Sequence, residues 1–208
     1  IIVIIGKDGN LCYHRGDGSI LLFTEKDGEY TAPDGYELKL NRKKIKENMF
    51  DFGEGEESYP VYQYTITDET NVTKTFNYFG MLTSIEDEKG NQTVLTYDDN
   101  YNLREITSPA GPKYEFTTNE EGYITAIQLP NGSTLSYAYD GNGNLISYTD
   151  ANGAVTKYEY DDAHRMTAWY DANGTRIVQN VYDDQGRVTT QTDANGGVSS
   201  LTYKDGQT

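Results

Sequence analysis

The sequence is poor in the residue types on which several common functions depend. Its 208 residues include one cysteine, Cys12, and two histidines, and 17 Lys and Arg stand against 33 Asp and Glu. One cysteine excludes an internal disulfide, and the sequence has neither a phosphate-binding glycine loop nor the Cys and His spacing of a metal site. The net charge of -16 argues against binding nucleic acid or an anionic membrane surface, because both depend on Lys and Arg. We therefore expect no nucleic-acid partner, no cofactor and no metal.

Long apolar runs are missing as well. Residues 1–5 are apolar, but five residues are too few for a signal sequence or a membrane span, so we predict a strand there. The chain starts without Met and stops inside a repeat unit. We therefore expect it to be part of a longer protein, so that the lack of a visible targeting signal indicates nothing about its location.

Glycine and tyrosine are abundant, with 21 and 19 residues, and both recur at a fixed period. Successive turn glycines are 21 residues apart, with a last step of 22, at Gly90, Gly111, Gly132, Gly153, Gly174 and Gly196. The apolar residues that open the second run of each unit keep the same period, at Leu82, Leu103, Ile124, Leu145, Met166 and Val188. An aromatic residue precedes the first turn at Phe76, Tyr97, Tyr139, Tyr160, Tyr182 and Tyr203. Such periods indicate stacked supersecondary units that bury a face only against their neighbours.

Each unit has the pattern of one β-hairpin. Alternating residues such as Leu135, Tyr137 and Tyr139 lead into a turn rich in Gly and Asn, and a short apolar run and a second turn follow. No stretch keeps a helical period over three turns. We predict an all-β fold of stacked hairpins, with an irregular β cap at residues 1–70 and repeats at 71–208.

Three local features are also predicted. The acidic, glycine-rich residues 51–58 are expected to form an exposed loop, and the copy after Gly111 is expected to have a first strand about two residues short. The final step of 22 residues adds one residue within 175–182. Because one extra residue would turn every later side chain to the other face, we predict a β-bulge there.

These residues resemble the Rhs/YD-repeat family. The resemblance rests on the run from Gly132 to Leu145, where Tyr-x-Tyr-Asp is followed by Gly-Asn-Leu, and on its relatives around Tyr160 and Tyr182. It covers residues 71–208, and it implies part of a β-sheet that winds as a spiral shell around a cavity, as in bacterial Rhs proteins, wall-associated polymorphic-toxin proteins and animal teneurins. The Asp-Pro-x-Gly motif of self-cleavage is missing here, so the resemblance carries neither self-cleavage nor toxicity to these residues.

One set of residues is expected to define and pack the repeats. Its members are Tyr97, Tyr139, Tyr160, Tyr182, Leu103, Leu145, Gly132, Gly153 and Gly174. We expect the tyrosine rings of successive hairpins to form one packed layer, because burying such a ring contributes roughly 1.5–3 kcal/mol.

Two binding functions remain as alternatives. Repeats rich in Gly and Tyr also occur in wall-binding modules that stack aromatic faces on saccharides, and Tyr148 and Trp169 are the candidate glycan contacts. Packing is favoured at Trp169, since other units have isoleucine at that position. Oxygen ligands at 140, 142 and 144 have calcium-like spacing, but the residues that complete an EF-type loop are missing and turn chemistry explains the same positions.

Catalysis has little support, since His164 lies at a turn position and His14 has no nucleophile motif nearby. We therefore predict a non-enzymatic, structural shell segment of a secreted, cell-surface or cell-wall protein. Its expected partners are the remainder of its own longer chain, including further repeats and an enclosed toxin domain, and a cell-wall or surface glycan in the alternative function. A second copy, paired through the edge strand near residues 203–208, is also expected.

Overall fold

A computed structural model describes the backbone of residues 2–5 and all of residues 9–46 and 60–204. Within these ranges the chain forms strands and turns and no helix, as the all-β prediction requires, so no described helix could cross a membrane. The predicted acidic loop at 51–58 lies outside the described residues. The chain divides into two compact units, Ile1–Lys113 and Tyr114–Thr208. The boundary predicted near residue 70, between cap and repeats, stays a prediction.

The first unit contains a four-stranded sheet and a meander of six further strands. The small sheet has the order β1-β2-β3-β4, and its strands are antiparallel. Its strands are β1 (Ile2–Ile5), β2 (Asn10–His14), β3 (Ile20–Lys26) and β4 (Glu29–Thr31). The meander consists of β5 (Lys39–Lys46), β6 (Val61–Thr67), β7 (Thr73–Phe76), β8 (Leu82–Glu86), β9 (Gln92–Tyr97) and β10 (Leu103–Thr107).

A packed core lies between the small sheet and the first strands of the meander. Alternate residues of β2 and β3 point inward, because side chains along a strand alternate between its faces. The core residues are Leu11, Tyr13, Leu21, Phe23, Leu40, Tyr64, Ile66 and Phe76. Phe23 and Leu11 are 0% exposed, and the Tyr13 ring meets the Phe76 ring edge-on at 5.8 Å. Burial raises the pKa of Tyr64 to about 12.

The second unit is a continuous antiparallel meander in which each strand pairs with the next. Its strands are β11 (Lys113–Thr118), β12 (Ile124–Gln128), β13 (Thr134–Tyr139), β14 (Leu145–Thr149), β15 (Val155–Tyr160), β16 (Met166–Tyr170), β17 (Arg176–Tyr182), β18 (Val188–Asp193) and β19 (Val198–Ser200). The prediction of a short strand after Gly111 is wrong, because β11 has six residues, as β13 does. Thr118 stands opposite Ile124 in the place that Tyr139 takes opposite Leu145, so the missing tyrosine hid the end of the strand.

The predicted bulge in the 22-residue step is confirmed. Strand β17 has seven residues, and its pairing with β16 runs from Trp169–Val178 to Tyr170–Arg176, which leaves Ile177 as the extra residue. The corresponding pairing of β14 with β15 has no shift. The bulge therefore restores the alternation of β17 before its last residues reach Tyr182.

A second kind of bulge recurs in all six repeat hairpins from β7 to β18 and was not predicted. The second strand of each hairpin carries one extra residue directly after its opening apolar residue. These bulged residues are Thr83, Arg104, Thr125, Ile146, Thr167 and Thr189. The threonine hydroxyls of Thr83, Thr125 and Thr189 donate back to a carbonyl of the first strand.

Candidate functional site

The hairpin turns share one hydrogen-bond geometry, shown here by the turn 140–144. The N–H of Asp140 donates to the carbonyl of Asn144 at 3.0 Å, and the N–H of Gly143 donates to the carbonyl of Asp140 at 3.1 Å. The Oδ1 atom of Asp140 also accepts the N–H groups of Asn142 and Asn144, both at 2.9 Å. The same double acceptance occurs in the turns that begin at Asp68, Asn77, Asp87, Asp98, Asp150, Asp161, Asp171, Asp183 and Asp193.

These donors stabilise the charged form of the turn aspartates. The hydrogen bond from the Asn144 side chain is the main cause that holds the pKa of Asp140 below its usual value, and the Arg187 backbone N–H does the same for the pKa of Asp183. Turn geometry thus accounts for the oxygen spacing that suggested calcium. Within ranges 9–46 and 60–204, no three His, Cys, Asp or Glu side chains lie together as a metal site would need.

The fourth residue of each turn has a left-handed backbone. Gly132, Gly153 and Gly174 have φ angles of 84°, 85° and 80°, and nothing lies within 4 Å of a Cβ built on them. Their place in the repeat therefore reflects backbone conformation, which glycine adopts without strain. Tyr101 and His164 hold the same conformation, at φ 65° and 60°, where other turns use glycine.

Tyrosine hydroxyls connect four of the repeat units to the hairpin before them. Tyr139 Oη donates to the carbonyl of Ile124 at 2.9 Å, and the equivalent bonds run from Tyr97 to Leu82 at 2.6 Å and from Tyr182 to Met166 at 2.7 Å, with Tyr203 and Val188 at 2.8 Å. Tyr160 has the same position, but the described residues show no such bond from its hydroxyl. Leu103 and Leu145 stand opposite Tyr97 and Tyr139 within their hairpins.

The accepting carbonyls are available because neighbouring hairpins pair over only part of their length. Strands β12 and β13 pair at three positions, from Ala126–Ser136 to Gln128–Thr134. The carbonyl of Ile124 lies beyond the end of that ladder, next to the recurring bulge. A buried or half-buried carbonyl needs a donor, and the tyrosine of the next hairpin supplies it.

The fifth residue of a turn adds a second connection that the sequence analysis missed. Arg165 donates to Asp161 of its own turn at 2.7 Å, donates to the carbonyl of Asp183 at 3.1 Å, and lies over the Tyr182 ring at 4.7 Å. Arg187 likewise donates to Asp183 of its own turn, and it lies over the Tyr203 ring at 4.4 Å. The signal was present in the sequence, since an Arg or Asn follows most turn aspartates by four residues.

Two neighbouring turns vary this connection. Tyr123 takes the fifth position of its turn and stacks on the Tyr139 ring, with centroids 4.9 Å apart. His164 Nδ1 lies 2.7 Å from Asn144 Oδ1, and Asn144 in turn donates its amide to Asp140. His164 therefore joins two adjacent turns of the second unit.

The candidate glycan contacts lie on the aromatic face of the sheet. Tyr148 is half-buried, with its ring centroid 5.4 Å from that of Tyr137, its cross-strand partner. Trp169 is half-buried between Tyr158 and Val178, its partners on either side. Glycan binding through these two residues stays a prediction.

Comparisons with known proteins agree with this geometry. The RHS Repeat family model matches residues 76–113, 119–153, 139–176 and 182–208. Among solved structures, a chain of the Photorhabdus luminescens Tc holotoxin pore, which carries a TccC3 mutation, is 13% identical, with a TM-score of 0.50 over 89% of this chain and 10% of that one. A chain of TcdB2-TccC3 without its hypervariable C-terminal region is 12% identical, with a TM-score of 0.50 over 94% of this chain and 12% of that one. No curated protein matches. The chain thus has the fold of these structures and spans about a tenth of their length.

Proposed function

Because the chain belongs to the RHS repeat family, we propose that it is a non-catalytic, structural segment in the wall of a shell. The observation that carries this proposal is the recurring hydroxyl-to-carbonyl bond from Tyr97, Tyr139, Tyr182 and Tyr203 to the preceding hairpin. Such an array holds its neighbours in sequence and gains stability with each added copy. The turn aspartates and the connecting tyrosines form hydrogen bonds within turns and between hairpins, as a structural role requires.

The proposed partners are further repeats of a longer chain and a toxin domain enclosed by the shell. The likeness in fold to chains of Tc toxin structures, of which this sequence covers about a tenth, supports this proposal. The proposed location is outside the cell that makes the protein, by secretion or at the cell surface or wall.

The shell proposal is tested in the parent protein by protection of its enclosed segment. Replacing Tyr97, Tyr139 and Tyr182 together by Phe removes three connections between hairpins, and we expect the enclosed segment to become sensitive to added protease. Tyr160→Phe is the matched control, because it removes a hydroxyl from the same position without removing such a bond. Electron cryomicroscopy should show a hollow particle. A particle without a cavity, or an interior segment cleaved equally in the wild type, overturns the proposal.

The edge strand was predicted near residues 203–208, but residues 203–204 form no strand and residues 205–208 lie outside the described residues. The last described strand, β19, instead supports a proposed second partner. Strand β19 pairs with β18 on one side, its three residues are exposed, and the described residues place no strand on its other side. We propose that this edge pairs with a strand of another copy when no further repeat covers it. Light scattering that shows monomer alone at high concentration contradicts that pairing.

A further inference from the structure

Two adjacent turns of the first unit carry an exposed aromatic cluster. Tyr78 and Phe79 lie in the turn 77–81 and Tyr101 lies in the turn 98–102. Their exposures are 43%, 41% and 53%. The Tyr78 and Phe79 ring centroids are 4.0 Å apart, and the Phe79 and Tyr101 centroids are 4.6 Å apart in an edge-on arrangement. These three rings form one surface cluster, which we call the turn cluster.

The array itself shows that the fold does not require these rings. Turns of the same type have polar or small residues at the second and third positions, and glycine at the fourth in most copies. The residues at the second position are Asp99, Glu120, Gly141, Asp162 and Asp184, and those at the third are Asn100, Glu121, Asn142, Ala163 and Gln185. Each of these turns closes with the same backbone hydrogen bonds as the turn 77–81. The aromatic residues are therefore additions to a turn that forms without them.

The cluster is also held against a backbone preference. Tyr101 has φ 65° at the position where Gly143 and Gly186 stand in equivalent turns. A bulky residue in this conformation is strained, and strain that the surrounding structure maintains is found preferentially where a protein binds or reacts. Strain and exposure thus coincide at one place on the surface.

We propose that the turn cluster is a stacking platform for a neutral saccharide. Tyrosine has an apolar ring face and a polar hydroxyl, which suits a sugar that presents C–H groups on one side and hydroxyls at its rim. The exposed side chains of Asp99 and Asn100 lie in the same turn as Tyr101 and supply acceptors and a donor beside the rings. A few directed polar groups around an apolar surface are what small-ligand sites use for orientation.

Charge and size select this ligand over others. Asp98 and Asp99 lie in the same turn as Tyr101, and the chain carries a net charge of -16, so an anionic polymer is repelled. Three aromatic side chains of about 200 Å² each, roughly half exposed, present about 300 Å². A stable protein partner covers about 800 Å² on each side, so the turn cluster fits one or two sugar rings better than a protein surface.

The test uses substitutions that the array already contains. Tyr78→Asp, Phe79→Asn and Tyr101→Gly, made together, install residues found at the same positions of other turns, so we expect the thermal unfolding temperature to be unchanged or higher. Tyr114→Thr is the matched control, because Tyr114 is 38% exposed and lies outside the turn cluster. Binding is measured first on an array of neutral glycans and then by titration calorimetry and saturation-transfer NMR with the oligosaccharide selected.

We expect the wild type and Tyr114→Thr to bind the oligosaccharide with equal affinity. The affinity of the triple variant should be at least about tenfold lower, as is usual when central aromatic contacts are truncated. Aromatic protons of Tyr78 and Tyr101 should shift with the ligand. Equal binding by the triple variant overturns the proposal, as does a wild type that binds no neutral glycan. A third outcome is that the wild type binds no glycan but self-associates, and that the triple variant does not self-associate. This outcome would assign the turn cluster to protein docking and would also overturn the saccharide proposal.

Discussion

Strands β2 to β7 enclose a core in which Leu11 and Phe23 are 0% exposed, whereas strands β11 to β19 are held together with little full burial. Among the described residues from 114 onward, Ala168 is the one hydrophobic side chain that is fully buried, at 3% exposure. The tyrosines and leucines of β13, β14 and β15 are half-buried. Burial of apolar surface therefore supports the first region more than the second.

The array compensates with polar contacts that repeat in most copies. Each turn aspartate accepts two backbone N–H groups, and each connecting tyrosine supplies a donor to a carbonyl of the preceding hairpin. Single hydrogen bonds contribute modestly, but these are distributed evenly along the chain. A single substitution in the core should therefore lower the free energy of unfolding of the first region strongly. A single substitution in the array should lower that of the second region only slightly.

The largest effect is expected in the packed core. Phe23→Ala removes a fully buried ring and should lower the free energy of unfolding of the first unit by about 3–5 kcal/mol. Tyr137→Ala removes a half-buried ring of the array and should destabilise the second unit by less. Urea titration of both variants measures the difference. Equal losses would remove the distinction between the two regions.

Glycine substitutions separate backbone strain from crowding within the array. Gly153→Ala forces a left-handed alanine with open space around it and should cost about 1–2 kcal/mol. Gly143→Ala has the same backbone, but its new methyl group would lie 2.6 Å from the Tyr123 hydroxyl. Because Tyr123 would be displaced from Tyr139, Gly143→Ala should lower the free energy of unfolding by about 2–3 kcal/mol in total. Thermal unfolding compares the two, and equal values would show that the Tyr123 stack contributes nothing.

A smaller effect is expected for a single connection between hairpins. Tyr139→Phe removes the bond to the Ile124 carbonyl and should cost about 1 kcal/mol. Tyr160→Phe should change the free energy of unfolding much less, since its hydroxyl makes no such bond in the described chain. Denaturant curves with the same slope for both variants give the comparison directly. If Tyr160→Phe costs as much, the hydroxyl bond is not what holds the hairpins.

The smallest change at neutral pH concerns the turn carboxylates. The pKa values of Asp140, Asp161, Asp171 and Asp183 are lower in the fold than in the unfolded chain, so their contribution is complete above about pH 4, the unfolded pKa, and is lost as pH falls through the folded pKa. The unfolding temperature of the second unit should be level from neutral pH to about pH 5 and should fall in more acidic solution.

Asp140→Asn is the matched variant for this acid transition. Its amide oxygen can still accept two backbone N–H groups, as Asn77 does in the native chain. The Asn144 side-chain amide loses its carboxylate acceptor, so we expect a modest loss of stability at neutral pH and a shallower further loss in acid. An acid transition as steep as that of the wild type would assign it to other groups.

The parts of the fold that depend on neighbouring residues in sequence could be predicted. The period of the turn glycines located the hairpins, and the single extra residue before Tyr182 located the bulge at Ile177. The family resemblance is confirmed. These features depend on alternation and turn chemistry, which act over a few residues.

Contacts between distant residues could not be predicted. Nothing near Phe23 in the sequence indicates that it packs with Tyr64 and Ile66, which follow about forty residues later. The sequence analysis did not predict that the Tyr139 hydroxyl reaches a carbonyl freed by a bulge in the previous hairpin. That bulge follows from the pairing geometry and has no marker beyond a recurring threonine, as at Thr125.

The bulge at Ile177 also bears on how such a gene changes over time. A codon gained inside β17 shifts the faces of a few residues and is then compensated before the next turn. Each repeat hairpin closes through its own turn, so the error does not pass on to the copies that follow. Lineages of such proteins can therefore accept small insertions and deletions in one copy while every other copy keeps its frame.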